Sequence, residues 1–141
     1  MTMIEYNYQL TDFELEHPEG VSKWLESLIA EHDHRLGELS YVFCDDEYLL
    51  KINNDFLNHD FYTDIISFDY KLGKQVNGEI YISIDRVKEN AADRGLKFED
   101  ELHRVISHGV LHFLGFKDKT ELEAEAMRKA EDLALESRNF I

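Results

Sequence analysis

The chain begins with a strict alternation of apolar and polar side chains. Every second position is apolar over residues 4–10, namely Ile4, Tyr6, Tyr8 and Leu10. A period of two predicts a β-strand with one buried face. After Pro18 the apolar residues recur at intervals of three or four up to Ile29, which predicts a helix with proline near its start.

A second strand and a second helix are predicted directly afterwards. Residues 39–44 form a short apolar run, which is typical of a buried strand. Asp45 and Asp46 follow this run, and an aspartate placed just before a helical apolar pattern can cap the first turn. The first part of the chain therefore predicts the order strand, helix, strand, helix.

The middle of the chain predicts a β-hairpin. Residues 63–70 and 79–84 are rich in β-branched and aromatic side chains, which favour strands. Gly73 and the pair Asn77-Gly78 lie between the two segments and are typical of turns. We expect the two strands to be adjacent and antiparallel.

Three more helices are predicted in the second half. Asp85 can cap the first of them, which would end near Gly95. Apolar residues on most sides of residues 105–114 indicate a buried helix, and Thr120 with Glu123 forms a capping-box pattern before the last one. The apolar face of this last helix is predicted to consist of Leu122, Ala126, Ala130, Leu133 and Ala134.

These elements predict an α+β fold. We expect one domain over residues 1–141, with about four strands in a small mixed sheet packed against about five helices. Met127 lies within the helical pattern of the last helix and is predicted to be a core residue.

The segment from His108 to Asp118 carries the clearest chemical signal, because it has the form H-x-x-x-H-x-x-G-x-x-D. Histidines four residues apart project from one face of a helix, so both imidazoles can reach the same ion. Gly115 can end the helix in a left-handed conformation and return Asp118 to that ion. His108, His112 and Asp118 are therefore predicted to bind zinc or a similar divalent metal, with a fourth position open for catalysis.

Two other interpretations of the motif stay open. A helical pair of histidines can also be two core residues that are hydrogen-bonded to backbone or carboxylate groups, although the glycine turn and the carboxylate favour a shared metal. The spacing also resembles that of metallopeptidases. Their general base follows the first histidine, where this chain has Gly109, so any base must come from elsewhere. His17, His32, His34 and His103 are interpreted as polar surface residues.

Composition limits the choice of compartment and partner. The single Cys44 cannot form an internal disulfide, and the sequence shows neither an apolar run long enough for a membrane span nor a secretion signal, so a cytoplasmic location is expected. The 15 basic and 30 acidic residues give a net charge of -15. Because generic binding of nucleic acid relies on basic groups, any RNA must be bound locally, and DNA is not expected as a partner.

The motif and two segments before it resemble the YbeY family of endoribonucleases. His108 to Phe116 is similar to the family's H-G-x-L-H-L-x-G-Y signature, and residues 63–68 are similar to its T-D-V-L-S-F segment. Residues 78–83 resemble G-D-I-x-I-S, and the resemblance spans roughly residues 39–135. It implies a metal-dependent endoribonuclease that acts on rRNA of the small ribosomal subunit, including 16S rRNA 3′-end processing and ribosome quality control.

The chain departs from the family pattern at three positions. Asp118 stands where the family has a third histidine, Leu57 where it commonly has an arginine, and Tyr62 where it has a proline. A carboxylate is a competent zinc ligand, but loss of an arginine near a metal weakens the grip on phosphate. Lys117 or His59 are candidates to replace it, and His59 is also a candidate acid/base catalyst because histidine titrates near neutrality.

The remaining roles are open at this stage. Asp64, Glu79 and Asp85 are equal candidates for a carboxylate that orients a ligating imidazole. The function predicted first is the endoribonuclease, and a metallopeptidase is the alternative enzyme. A third alternative is a non-catalytic ribosome-binding assembly factor, whose acidic surface would bind basic ribosomal proteins.

Overall fold

A computed structural model of the chain describes residues 3–9 and 11–141. Its elements in chain order are β1 (Met3–Gln9), α1 (Pro18–Glu31), β2 (Arg35–Cys44), α2 (Asp46–Leu57), β3 (Ile65–Asp69), β4 (Gln75–Ser83), α3 (Ile84–Arg94), α4 (Phe98–Phe113) and α5 (Glu121–Glu136). The four strands form one sheet in the order β1-β2-β4-β3. The predicted α+β fold, with its mixed sheet and five helices, is confirmed. Leu10 of the predicted first strand lies outside the described residues.

The sheet is mixed because its strands are joined in two different ways. β1 runs parallel to β2 and β2 runs parallel to β4, and the first of these connections contains α1. β3 and β4 pair antiparallel, with Ile65 opposite Ile82 and Asp69 opposite Gly78, as expected for the predicted hairpin. α2 packs on the outer face, where Leu49 contacts Cys44 and Ile66 in a small cluster separate from the main core.

The motif helix α4 lies in the main core. Ten of its residues are buried, and they surround the helix on most sides, as the sequence predicts. The hydroxyl of Tyr41 on β2 donates to the carbonyl of Ile106 at 2.8 Å, and both residues are fully buried. The sheet thus holds α4 by packing and by a buried hydrogen bond, which fixes the position of the histidines at its end.

Helix caps set where several elements begin. The side chain of Asp45 accepts from the backbone N–H of Tyr48, as predicted, and Thr120 with Glu123 forms a complete capping box. α3 begins differently from the prediction, because Ser83 is its N-cap and Asp85 lies in its first turn. Both arrangements satisfy N–H groups that the helix leaves unpaired.

The predicted turn within the hairpin is only partly correct. Gly73 lies in the turn with φ +58°, but Asn77 and Gly78 lie within β4. Gly78 is needed there because a Cβ atom would lie 2.5 Å from Cε2 of Phe113 and 2.8 Å from the carbonyl oxygen of Phe68. The glycine therefore allows α4 to pack closely on the sheet.

Two predictions about burial are wrong. His103 is 3% exposed, because α4 is buried on most sides from Glu101 onward, and it is therefore not a surface residue. The predicted apolar face of α5 is wrong for Leu122 and Leu133, which are 80% and 66% exposed, and right for Ala134, which is buried. Met127 is buried, as predicted. The buried side of α5 consists of Met127, Glu131 and Ala134, and the contacts of Glu131 are described below.

No helix in the described ranges combines the length and the apolar character that crossing a bilayer requires. Cys44 is a free, buried thiol at the end of β2. Burial raises its pKa to about 12, and the carboxylates of Asp45 and Asp46 add to this shift, so the thiol stays protonated at neutral pH.

Candidate metal centre

Three potential ligands meet at the C-terminal end of α4. One donor atom from each of His108, His112 and Asp118 lies within 4.8 Å of the other two. Oδ2 of Asp118 is 3.3 Å from Nε2 of His108 and 3.5 Å from Nε2 of His112. Gly115 has φ +106°, so the helix ends in the left-handed turn that the sequence predicts, and this turn brings Asp118 back.

Hydrogen bonds to the other ring nitrogens orient the two imidazoles. Nδ1 of His112 is 3.0 Å from the carbonyl oxygen of Phe116, and Nδ1 of His108 is 2.6 Å from Oε2 of Glu131. A carbonyl oxygen can only accept, so His112 carries its proton on Nδ1, and a carboxylate acceptor assigns the same tautomer to His108. Both Nε2 lone pairs then face the carboxylate of Asp118.

This convergence fits a cation. When both imidazoles are neutral, the lone pairs of their Nε2 atoms and of the Asp118 carboxylate point at one another with no hydrogen between them. This arrangement is repulsive unless a positive charge lies among the three atoms. Two imidazoles and one carboxylate are ligand types that suit zinc and related divalent metals, and three protein ligands leave room for water or substrate. The side chains are between 19% and 42% exposed, so the centre is open to solvent.

Glu131 is the carboxylate that orients His108, and it comes from α5. It is 6% exposed and also accepts from Nη1 of Arg104 at 2.9 Å, while Nη2 of that arginine binds Asp132. Burial disfavours the charge of Glu131, but hydrogen bonds from His108 and Arg104 outweigh it and lower its pKa. Glu131 was missed in the sequence, although its position four residues after the predicted core residue Met127 was a usable signal that it lies on the buried side of α5.

The three carboxylates considered from the sequence do not orient His108 or His112. Asp64 lines the same cavity as the histidines but is not hydrogen-bonded to them. Glu79 accepts from the hydroxyls of Tyr70 and Tyr81, and Asp85 accepts from the backbone N–H of Asp46. Among the described residues, the imidazole of His108 is therefore held by Glu131 and by none of these three.

The candidate centre opens into a cavity of about 380 Å³. Its walls carry a set of ionisable side chains in addition to the three candidate ligands, namely Asp64, Glu101 and Glu131 with Arg94, Arg104 and Arg128. The volume falls within the range of small-molecule sites, and the mixed charge distinguishes it from an apolar ligand pocket.

Burial perturbs several groups in the cavity. Burial raises the pKa of Asp64, and the nearby His108 offsets this shift only in part. It also raises the pKa of Glu101, where the nearby Arg94 has the same partial effect. Burial lowers the pKa of His108, but its hydrogen bond to Glu131 and the charges of Glu131, Asp118 and Asp64 outweigh this effect and raise it overall. Perturbed groups that face one cavity are a feature of functional sites.

Other predicted site residues do not line this cavity. His59 lies in the loop after α2, where its ring stacks on Phe61 with centroids 5.1 Å apart. Leu57 and Lys117 are exposed, and neither is among the cavity-lining residues. The acid/base role of His59 stays a prediction, while three arginines occupy the cavity wall in place of the residues considered from the sequence.

Gly109 packs against the sheet. A Cβ atom at this position would lie 2.8 Å from Cδ1 of Ile80 and 3.2 Å from Cδ1 of Ile65. The position after the first histidine thus faces the core, so it cannot carry the general base that metallopeptidases have there.

Comparison with known proteins agrees with the geometry. The family model described as Endoribonuclease YbeY matches residues 5–139. A protein of Flavobacterium johnsoniae called Endoribonuclease YbeY is 49% identical over 130 residues, which cover 92% of this chain and 93% of that protein. The protein of the same name from Flavobacterium psychrophilum is 51% identical, and the match covers 92% of this chain and 92% of that protein. The one from Christiangramia forsetii is 52% identical, and the match covers 86% of this chain and 85% of that protein.

A solved structure shares the fold. The solution structure of TM1509 from Thermotoga maritima matches with a TM-score of 0.62 at 24% identity, and the match covers 92% of this chain and 88% of that protein. At this level of identity the likeness supports the architecture of one mixed sheet with helices.

Proposed function

Because the chain belongs to the YbeY endoribonuclease family, we propose that it is a metal-dependent enzyme that cleaves single-stranded RNA during maturation of ribosomal RNA. The proposal includes the roles that the family resemblance implies, which are 16S rRNA 3′-end processing and ribosome quality control on the small subunit. It also keeps the cytoplasmic location expected from the sequence.

One observation supports metal dependence most directly. Nε2 of His108, Nε2 of His112 and the carboxylate of Asp118 converge within 4.8 Å of one another, while each Nδ1 lies within hydrogen-bond distance of an oxygen acceptor. We propose that these three side chains hold one divalent ion, with zinc as the first candidate. When bound, such an ion supplies a Lewis acid for a phosphoryl oxygen and lowers the pKa of water, which makes a separate glutamate base unnecessary.

The residues of the chain then have distinct tasks. Glu131 and the carbonyl of Phe116 hold the two imidazoles in the ligating tautomer, so neither ring must reorient during reaction. Arg104 holds Glu131 in place from the other side. The open cavity admits a flexible single strand, whose phosphates can be turned toward a concave site more easily than those of a stiff duplex.

The two alternative functions are weaker. Gly109 faces the core, so a peptidase would lack its usual base. A non-catalytic ribosome-binding factor is favoured by the net charge of -15, which is suited to contact with basic ribosomal proteins. Such contact is compatible with an endoribonuclease, and we propose these proteins as additional partners.

One experiment separates the three functions. Purified protein loaded with zinc is incubated with a single-stranded RNA, with an unstructured peptide and with small ribosomal subunits, each with and without a chelator. We expect cleavage of the RNA alone, loss of cleavage with chelator, and no cleavage by His112→Ala. Peptide cleavage would favour the peptidase, and subunit binding without cleavage of either polymer would favour the binding factor.

A further inference from the structure

The cavity beside the candidate metal centre has three arginines on its wall, and two of them are neutralised. Nη1 of Arg94 is 2.9 Å from Oε2 of Glu101, which is 1% exposed. Arg104 binds two carboxylates, Glu131 and Asp132, each at 2.9 Å. Carboxylates balance the charge of both guanidinium groups, so these two arginines attract a phosphate less strongly than an unpaired arginine does.

Arg128 differs from both. It is exposed, it lines the cavity, and no carboxylate in the described part of the chain lies within ion-pair distance of its guanidinium. It precedes Glu131 by three residues on α5, which is about one helical turn. α5 therefore places two residues on the wall of this cavity, Glu131, which orients His108, and Arg128, which has no ion-pair partner among the described residues.

We propose that Arg128 binds a phosphate of the RNA strand next to the scissile bond. The inference rests on the proposed function, because it assigns a substrate-binding residue to that site. A planar guanidinium can donate two parallel hydrogen bonds to phosphate oxygens, and it is always charged at neutral pH.

The charge of the rest of the molecule makes this contact important. The chain has a net charge of -15, and the cavity wall itself carries the carboxylates of Asp64, Glu101 and Glu131. A phosphodiester that approaches this wall is repelled unless a cation is directed at it. The family resemblance implies an arginine at position 57, but this chain has Leu57 there, and Leu57 does not line the cavity. Arg128 supplies a positive charge on the cavity wall in its place.

The position also tolerates substitution. Arg128 is exposed in the middle of α5, and alanine and lysine are both good helix formers, so Arg128→Ala and Arg128→Lys are expected to fold. Lys129 is the matched control, because it is exposed on the same helix but is not among the cavity-lining residues. Lys129→Ala removes the same charge from the next position and from a different face.

The test measures binding of a fluorescent single-stranded RNA by anisotropy, together with KM and kcat for its cleavage and zinc content. For Arg128→Ala we expect about tenfold weaker RNA binding, a KM raised by a similar factor and an unchanged zinc content. The slope of the logarithm of the binding constant against the logarithm of the salt concentration should become smaller by about 0.7. Arg128→Lys is expected to lie between this variant and the wild type, and Lys129→Ala close to the wild type.

The inference is overturned if Arg128→Ala binds the RNA with wild-type affinity and salt dependence, or if Lys129→Ala weakens binding equally. Binding is measured without turnover, so it also tests Arg128 when wild-type protein binds the RNA but does not cleave it. That result would contradict the proposed catalytic function. The RNA affinities of Arg128→Ala and Lys129→Ala would still decide whether Arg128 binds the RNA.

Discussion

Nδ1 of His108 lies 2.6 Å from Oε2 of Glu131, a residue 23 positions further along the chain. The contact joins α4 to α5 and leaves Nε2 of the imidazole directed at Asp118. Glu131 is buried and is held on its other oxygen by Arg104. The orientation of a candidate metal ligand therefore depends on the docking of a second helix.

Removing the carboxylate that orients His108 is expected to weaken metal binding. In Glu131→Ala the imidazole loses its acceptor, Arg104 loses one of its two carboxylate partners, and zinc affinity should fall by about 10-fold to 100-fold. Glu131→Gln keeps one acceptor oxygen without the charge and is expected to show a smaller loss. Competition with a chromophoric chelator measures the affinities.

The control for this prediction is Glu125→Gln, because Glu125 is exposed on the same helix. It should bind zinc like the wild type. Wild-type affinity in Glu131→Ala would show that the hydrogen bond to His108 has no part in metal binding.

Asp118 is the candidate ligand that stands where the family resemblance implies a third histidine. Asp118→Ala leaves only two protein ligands and should lose stoichiometric zinc after gel filtration, while Asp118→His should retain it, since imidazole is an equivalent zinc ligand. Metal content measured by atomic absorption gives the result. Stoichiometric zinc in Asp118→Ala would remove this residue from the ligand set.

His103 makes the stability of the fold depend on pH. Burial, reinforced by the charge of Arg138, lowers its pKa to about 4 from an ordinary value of 6.5. Between these two values the unfolded chain binds a proton that the folded chain does not, so the free energy of unfolding decreases as the pH falls from 6.5 to 4. The loss attributable to His103 is on the order of 3 kcal/mol, and urea denaturation across this range measures it.

His103→Asn isolates this contribution. The Asn amide oxygen can accept from Arg138 as Nδ1 of the imidazole does at 2.8 Å, but the side chain does not titrate. The variant is expected to be less stable overall, because it loses ring contacts with Trp24 and Phe140. Its free energy of unfolding should nevertheless change less between pH 6.5 and pH 4 than that of the wild type. An equal change in both proteins would show that His103 is not the source of the pH dependence.

Gly78 permits the close approach of α4 to the sheet. Gly78→Ala places a methyl group against the buried ring of Phe113 and the carbonyl of Phe68, and overpacking of this kind costs about 1–3 kcal/mol. Chemical denaturation should show the loss. Gly73→Asn is the control, because nothing lies within 4 Å of its Cβ position and Asn tolerates the left-handed turn, so its stability should be close to that of the wild type.

The sequence predicted the order of elements and the metal motif because both are local. Alternation identified β1, and the spacing from His108 to Gly115 and Asp118 placed three donors at one helix end, where the structure brings them together. Short-range capping was also predictable at Asp45 and Thr120.

The features that were missed depend on contacts between distant segments. Glu131 meets His108 only because α5 docks on α4, and the same docking reverses the expected burial of Leu122 and Leu133. Gly78 looked like a turn residue because its role is set by Phe113, which follows 35 positions later. Periodicity along one element does not determine which face its neighbour will cover.

We propose that His108, His112 and Asp118 hold a metal that the protein uses to cleave RNA. This proposal is tested most directly by stripping the protein with a chelator, adding zinc back in steps, and following cleavage of a single-stranded RNA by wild type and His112→Ala. We expect wild-type activity to be absent in the stripped protein and to rise to a maximum at about one zinc per chain, with His112→Ala inactive throughout. Full activity in the stripped protein, or equal activity in His112→Ala, would contradict the account.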